Sequence, residues 1–421
     1  MSPTITPESA REIAGPEWLA DRRVAAATRY VGRVVPGTDA EEWRYSRIGD
    51  LDVDRYDFEP SPTDSALPEP LLAARDQLGA RAATVLVRNG RVVSVDVDSD
   101  LASRGLRVGR LVESGTEPSV LGSVADADDY FVTLDDATAD PIVVDVPRGL
   151  GVDRPIVIAH WIDRPDSLVP TRLIVLAGEN SQSTVVEMLG SDDVESLAVP
   201  VTEIDIAPAA RLRHLSIQRF GRRVNQIGRS SARVAHAGTL ELGHVALGGD
   251  YARMRFDCSL DGRGATGDLT ALYLGGDDQM HDLRTFQRHG APDTTSRLTF
   301  KGAVAGASHA VYTGMIRITP DGRGSNADQS NRIIKLGPDA MAESVPNLEI
   351  EHNDVRCSHA STIGPIDEDQ RFYLESRGVP PEAAERLVVN GFFAEVIDGL
   401  GVPELSDSIR LAVATKVRDG R

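Results

Sequence analysis

The sequence predicts a mainly β protein with α-helical regions at both ends, and three observations carry that reading. Hydrophobic periodicity is helical near the termini and switches to two across the middle. The middle holds many short apolar runs separated by Gly, Asp, Asn and Pro, the punctuation of strands and turns. A faint repeat runs through it: Leu215, Leu242 and Leu269 are spaced by 27 residues, as are Phe220, Leu247 and Leu274. A fixed step of that size suits one coil of a β-solenoid. The same strand count would also build a β-sandwich, and periodicity alone leaves both open.

Residues 1–78 read as helix and loop. Pro16 is placed to open a helix through EWLADRRVAAATRY, since proline is tolerated in a first turn. Residues 60–70 (PSPTDSALPEP) read as a linker. Residues 79–365 form the β core. ATVLVRNGRVVSVDVD holds two alternating runs around Asn89-Gly90, a hairpin signal. Strand-like runs follow in PIVVDV, RPIVIAHW, TRLIVLA, STVVEML, ARLRHLSI, GTLELGHVAL, GDLTALYL, SRLTFKG and MIRIT.

Residues 366–421 return to a helical period. One helix ends on Gly378, a suitable residue just past a C-terminus, and Asp367, Glu368 and Asp369 favour its start. The next places Ala384, Leu387, Val388, Gly391, Phe392, Glu395 and Val396 on one stripe. Gly391 inside that stripe costs about 1 kcal/mol against alanine and suggests a close helix approach. A last helix over 403–417 puts Ile409, Ala412, Val413 and Val417 on one face.

Composition narrows the function classes. The chain has 421 residues, 64 acidic against 45 basic, for a net charge of −19. Such a field repels phosphate backbones, so nucleic-acid binding is not expected. No stretch approaches the ~20 apolar residues of a membrane span, and the N-terminus lacks a secretion signal, so a cytoplasmic location is expected. The only lysines are Lys301, Lys335 and Lys416; none stands in a G-x-x-x-x-G-K-[ST] loop, so no nucleotide is expected on this chain itself. No G-x-S-x-G elbow appears, and scattered carboxylates in so acidic a chain say little for glycosidase chemistry. A metal-dependent or carbohydrate-active β-helix enzyme is the rival to a non-catalytic role.

Two cysteines, Cys258 and Cys357, make neither a disulfide framework nor a four-thiolate zinc site. Cys258, in the alternating run RMRFDCSL, reads as a small buried hydrophobe. Cys357 closes a richer segment, Glu349-Ile-Glu351-His352-Asn-Asp354-Val-Arg-Cys357-Ser-His359. A thiol and an imidazole one residue apart point to the same side of a strand, and sulfur and imidazole both suit iron. Two ligands cannot hold a cluster alone, so a partner would have to supply others; a surface histidine beside a half-buried cysteine is the plainer reading. His281, His289 and His309 read as solvated turn histidines.

The stretch 287–400 resembles the SufB/SufD family of the SUF iron–sulfur cluster assembly system. The resemblance rests on QRHGAPDTTSRLTFKGAVAGASHAVYTGMIRI, NADQSNRIIKL, SVPNLEIEHNDVRCSHASTIGPIDEDQRFYLESRG and LVVNGFFAEVI. DVRCSHASTIGPIDEDQRFYL is similar to the SufD branch, and EEWRYSRIGDLD to the family's N-terminal segment; a SufB-type subunit is the alternative. The resemblance implies a right-handed parallel β-helix with helical regions at both ends. It implies a scaffold, not an enzyme, that pairs with a SufB-like subunit and a SufC-like ABC ATPase, with a homodimer possible when the chain is alone. It also implies a transient iron–sulfur cluster shared with the partner. His359 and Cys357 match the family's candidate cluster ligands, and Gly391, Phe392 and Phe393 fall in the tail expected to dock the ATPase.

Overall fold

A computed structural model describes residues 5–59 and 67–419; the greater part of the expected linker lies outside the described residues. Short helices α1 (Pro7–Glu12), α2 (Glu17–Tyr30) and α3 (Glu69–Asp76) precede the first strands. Pro16 stands as the cap immediately before α2. The hairpin β1 (Ala83–Arg88) and β2 (Arg91–Val97) pairs antiparallel through Asn89 and Gly90. Both turn residues have positive φ, 48° and 77°, as a two-residue type I′ turn requires. Three short helices then interrupt the β region, which sequence periodicity did not reveal: α4 (Ser99–Ser103), α5 (Leu111–Ser114) and α6 (Tyr130–Asp136), with strand β3 (Arg107–Arg110) among them. Each is too short to leave a readable 3.6-residue pattern.

From there the chain winds as a parallel β-solenoid. Its odd strands are β5 (Ile156–Ile162), β7 (Gln182–Ser191), β9 (Arg211–Arg219), β11 (Thr239–Ala246), β13 (Thr266–Gly275), β15 (Thr295–Val304), β17 (Asn326–Lys335) and β19 (Arg356–Pro365). Its even strands are β4 (Ile142–Val146), β6 (Ser167–Ala177), β8 (Ser196–Ile206), β10 (Val224–Val234), β12 (Tyr251–Leu260), β14 (Met280–His289), β16 (His309–Ile318) and β18 (Met341–Ile350). In the parallel pairings odd strands stack only on odd and even on even, so eight coils form two facing sheets. This settles the solenoid over the sandwich.

Strand register corrects the simple 27-residue repeat. Leu242 does pair with Leu269, but Leu215 pairs with Gly243, and the column continues from Leu269 to Leu298, Gln329 and His359. The steps are therefore 27, 29, 31 and 30 along that column. Strand length stays near ten residues while the corners absorb the difference. The interior between the sheets is mainly apolar, with Leu240, Leu269, Leu298, Phe256, Phe300 and Tyr312 in one cluster.

Histidines also enter this interior. His244, His281 and His289 are buried strand residues, so the expectation of solvated turn histidines fails for His281 and His289. Each ring finds a local partner instead: Ser216 Oγ lies 2.6 Å from His244 Nδ1, His281 Nε2–H donates to the Leu274 carbonyl (3.1 Å), and His289 sits between the hydroxyls of Thr294 and Ser296. Of the three expected at the surface, His309 alone stays near it, beside Glu343.

The outer face of each sheet is covered by one end of the chain. The N-terminal segment packs Tyr30, Trp43 and Phe131 over Val201, Ile227 and Tyr251 of the even sheet, with the Arg253 guanidinium 3.8 Å above the Trp43 ring. Beside it Arg172 of β6 is fully buried and donates to Asp135 (2.6 Å), Asp136 (2.9 Å) and Glu203 (2.7 Å). Glu203 also accepts the amides of Gly122, Val124 and Ala125, which fastens that loop and α6 to the sheet.

The odd sheet is covered by α3 and by the C-terminal helices α8 (Pro381–Gly399) and α9 (Pro403–Asp419), which follow α7 (Glu368–Ser376). Asp367 caps α7 by accepting the Gln370 amide, and Gly378 follows its end with φ 86°. On α9 the expected face is buried through Ile409, Val413 and Val417. On α8 the stripe is rotated from the expected one. Ala384, Val388, Val389, Phe393, Val396 and Ile397 are buried, whereas Leu387, Gly391 and Glu395 form an exposed ridge. A Cβ on Gly391 would meet nothing within 4 Å, so no close helix approach explains this glycine.

Two predictions follow from the buried polar groups. Arg172→Ala removes the cation shared by three buried carboxylates, leaving Asp136 to Arg22 and Glu203 to its three amides, and urea unfolding is expected to show a loss of about 3–5 kcal/mol. The second concerns acid. Burial pulls His244 and His281 down to about 3 and His289 to about 4, while burial pushes Asp135 up to about 6. A histidine near 6.5 when unfolded then takes up a proton on unfolding between its two values, so its contribution is full above about pH 6.5 and declines below. Asp135 acts oppositely, releasing a proton on unfolding below about pH 6. Three uptakes against one release predict that stability falls between pH 6 and 4.5 with a net uptake of about two protons. Unfolding free energies measured across that range check this, and His244→Gln should remove about one proton from the slope.

Candidate functional site at the open end of the solenoid

The two ends of the solenoid differ. At the first coil, β2 and β3 close the two sheets with antiparallel pairings, and α4 to α6 lie in the same region of the chain. At the last coil, β18 and β19 each have a neighbour on one side only. Long unpaired edges are a liability that proteins ordinarily cover or blunt. Here α7, which follows β19 directly, buries none of its own residues.

Alternation along β19 decides which side chains occupy this end. Cys357, His359, Ser361 and Ile363 pair with Ala327, Gln329, Asn331 and Ile333 of β17, all four of which are buried. They therefore extend the interior columns by one coil, with no further coil above them. Across the opening, Ala342, Ser344, Pro346, Leu348 and Ile350 of β18 continue the inward column of β16. Leu348, Ile350 and Ile363 are exposed. Pro346, which has no N–H, sits on this edge, where proline is tolerated.

The interior changes character as it nears this end. Leu269 and Leu298 give way to Gln329 and then His359; Ala271 and Phe300 give way to Asn331 and Ser361. Hydroxyls and an amide link the last coils: Tyr273 donates to Asn331 (2.8 Å), Asn331 to Ser344 (2.9 Å), and Ser361 to Ser344 (2.6 Å). Polar residues thus enter these columns at the mouth, beside the apolar rim of Leu348, Ile350 and Ile363.

Cys357 is half-buried and packs near Val355, Ile316 and Ile318. Burial pushes its thiol up from the ordinary value, and the Asp328 carboxylate adds to this. The thiol is therefore protonated at neutral pH, and a positive centre must arrive to draw out the thiolate. His359 is exposed, and its ring bonds to no other side chain among the described residues. Strand alternation brings these two together, as the sequence suggested.

The acidic part of the same segment is directed elsewhere. Glu349 and Glu351 pair with Arg317, Asp354 pairs with Arg323, and His352 Nδ1 accepts the Asp354 amide. Among the described residues no group of three or more His, Cys, Asp or Glu is arranged to hold a metal ion. The mouth offers one thiol and one imidazole. Cys258 lies three strands deeper in the even sheet, buried, with its thiol pushed up to about 12 by burial; it is the small hydrophobe expected.

The tail residues divide. Gly391 is exposed, and Phe392 is half-buried under Lys301, whose Nζ lies 5.0 Å from the ring centroid and donates to the Phe392 carbonyl (2.8 Å). Phe393 is fully buried against the odd sheet, so it anchors α8 rather than facing outward. Leu387, expected on the buried stripe, is exposed because the helical phase of α8 differs by about one position, and Phe372 and Tyr373 of α7, to which no face was assigned, are exposed nearby.

A family model described as SUF system FeS cluster assembly, SufBD core domain, matches residues 160–392, more than half of the chain. The chain belongs to the SufBD family. A SufBD family protein of Mycobacterium leprae is 31% identical over 330 residues, covering 75% of this chain and 79% of that one. A SufBD family protein of Mycobacterium tuberculosis is 36% identical over 219 residues, and this match spans 50% of the chain and only 55% of the relative. The iron–sulfur cluster assembly protein SufD of Escherichia coli is 24% identical over 298 residues, about 70% of each chain. The family-model match includes β19 with Cys357 and His359 and ends within α8 at Phe392.

For this SufBD chain the two thiols give a direct check. Brief iodoacetamide treatment of the folded chain is expected to alkylate Cys357, faster as pH rises, and to leave Cys258 unmodified. Cys258 should react only in denaturant. Mass spectrometry of the cysteine peptides reads the outcome, and early modification of Cys258 would contradict its burial.

Proposed function

We propose that this chain is a SufD-type scaffold subunit of the SUF machinery, with no turnover of its own, working in the cytoplasm. One observation carries the reading: the final coil leaves the solenoid interior open, and Cys357 and His359 stand in that opening. An exposed end with two unpaired edges and apolar rim residues suits a second β-solenoid docking end to end. The SufB-like subunit is that partner in this proposal, and it supplies the remaining ligands for a nascent iron–sulfur cluster. The cluster is cargo, assembled at the junction and passed on. His359 is an imidazole ligand at that junction, and Cys357 a thiolate ligand once iron lowers its affinity for a proton.

The nucleotide step belongs to a SufC-like ABC ATPase. Its docking face is the outer side of α7 and α8, where Phe372, Tyr373, Leu387 and Gly391 are exposed. Phe392 and Phe393 hold α8 to the odd sheet beneath, so that a load on the helix reaches the solenoid.

Co-expression with SufB-like and SufC-like partners from the same genome, followed by size-exclusion chromatography with mass determination, tests the assembly. One chain of each solenoid type with two ATPases is expected; elution of this chain alone or as a homodimer beside its partners would sink the proposal. Two variants divide the roles. Leu348→Asp with Ile350→Asp is expected to cut co-purification of the SufB-like chain by about tenfold or more, since charges replace the apolar rim. His359→Ala should leave the complex intact and abolish cluster maturation; full maturation by that variant removes His359 from the mechanism.

A further inference from the structure

A second site lies away from the open end, where α9 crosses three stacked corners of the solenoid. These are the corner after β9, the one after β11 and the one after β13, and with α9 they line a solvent-open cavity of about 520 Å³. That volume falls within the usual range for small-molecule sites. The corners come close because Gly248 carries no side chain; a Cβ there would lie 2.1 Å from the Phe220 carbonyl oxygen.

Two cations face the cavity without a carboxylate partner among the described residues. Arg219 donates from a terminal nitrogen to Ser408 Oγ (3.2 Å), while its Nε is buried and bonds to nothing. Lys416 donates to the Leu247 carbonyl and to Gln279 Oε1, both neutral acceptors. Burial, with Arg222 nearby, pulls its amine down to about 8, although Asp277 opposes this. Asp277 itself is engaged by Arg222 at 2.9 Å. A partly buried guanidinium with no counter-ion is expensive, and two cations sharing one cavity repel each other. An incoming anion relieves both. The rest of the wall is mixed: Arg222, Asp277, Gln279, Ser408 and Thr415 are polar, while Phe220 and Leu247 form a buried apolar part and Leu411 is 68% exposed at the mouth.

We propose that this cavity binds a small organic anion, its phosphate or carboxylate head held by Arg219 and Lys416 and its apolar body against Phe220, Leu247 and Leu411. The site is separate from the cluster junction and needs no partner subunit.

Titration of the isolated full chain with 1-naphthyl phosphate, followed by fluorescence anisotropy, tests this. Saturable binding at one site is expected. Arg219→Gln and Lys416→Gln should each weaken it at least about tenfold, as loss of a charged hydrogen bond does. 1-Naphthol, which lacks the oxyanion, should bind at least about tenfold more weakly, and 1-naphthoate shows whether a carboxylate head serves as well as phosphate. Leu411→Asp changes an exposed residue and places a negative charge at the mouth, so it keeps the test valid if a cation variant fails to fold; it should abolish binding while circular dichroism is unchanged. Absence of saturable binding, or equal affinity in the parent, Arg219→Gln and Leu411→Asp chains, overturns the proposal.

Discussion

Parallel strands stacked in register bury a coil's inward side chains only when another coil lies above them. In this chain that requirement organises nearly everything else. Leu242, Leu269 and Leu298 cover one another in a column, and each is worth roughly 1.5–3 kcal/mol when removed from water. Among the described residues nothing meets that requirement for the last coil. Cys357 and His359 occupy inward positions whose equivalents one coil below are Ala327 and Gln329, both buried. Exposure at that end therefore arises from position in the stack as much as from residue type: the same thiol on a deeper coil would be buried, as Cys258 is.

The outer faces pose a second problem, solved by the two ends of the chain. A solenoid sheet that is apolar outside as well as inside cannot face water. The N-terminal segment covers the even sheet and the C-terminal helices cover the odd one. The price appears at Arg172, where one guanidinium bonds three carboxylates out of water, helped only at Asp136 by Arg22 (3.0 Å) and Arg29 (3.9 Å). The backbone amides of Gly122, Val124 and Ala125 share that load by donating to Glu203, which is how such a buried cluster becomes tolerable.

Local signals in the sequence were reliable where a single element determined the outcome. Asn89-Gly90 specified a hairpin, and the alternating runs of the odd strands specified strands. Several even strands were harder to read. Val224–Val234 (VNQIGRSSARV) carries small polar residues inward and an arginine toward the N-terminal cover, so neither face looks apolar in one dimension. The same reasoning explains His281 and His289: their hydrogen-bond partners lie five and seven residues away around a corner, invisible to a strand pattern. The Cys357–His359 pair needed only alternation and was legible. Their setting at an uncapped end was not, because the end is a property of the stack. The cavity between Arg219 and Lys416 joins residues 197 positions apart and had no local signature at all.

The C-terminal helices do more than shield the odd sheet from solvent. Their apolar residues share a single cluster with Val186, Leu215, Val245, Leu272 and Ala303, which belong to five successive coils. Lys416 adds bonds to the corner after β11 and to Gln279 beyond β13. A member fastened across several joints acts as a splint. The solenoid along this side resists bending and shear between coils, and a pull on the tail is distributed over many hydrogen-bonded strands in parallel instead of peeling one from an edge. The flank bound by these helices is thus the stiffened side of the solenoid, and the open end lies beyond the coils that they span.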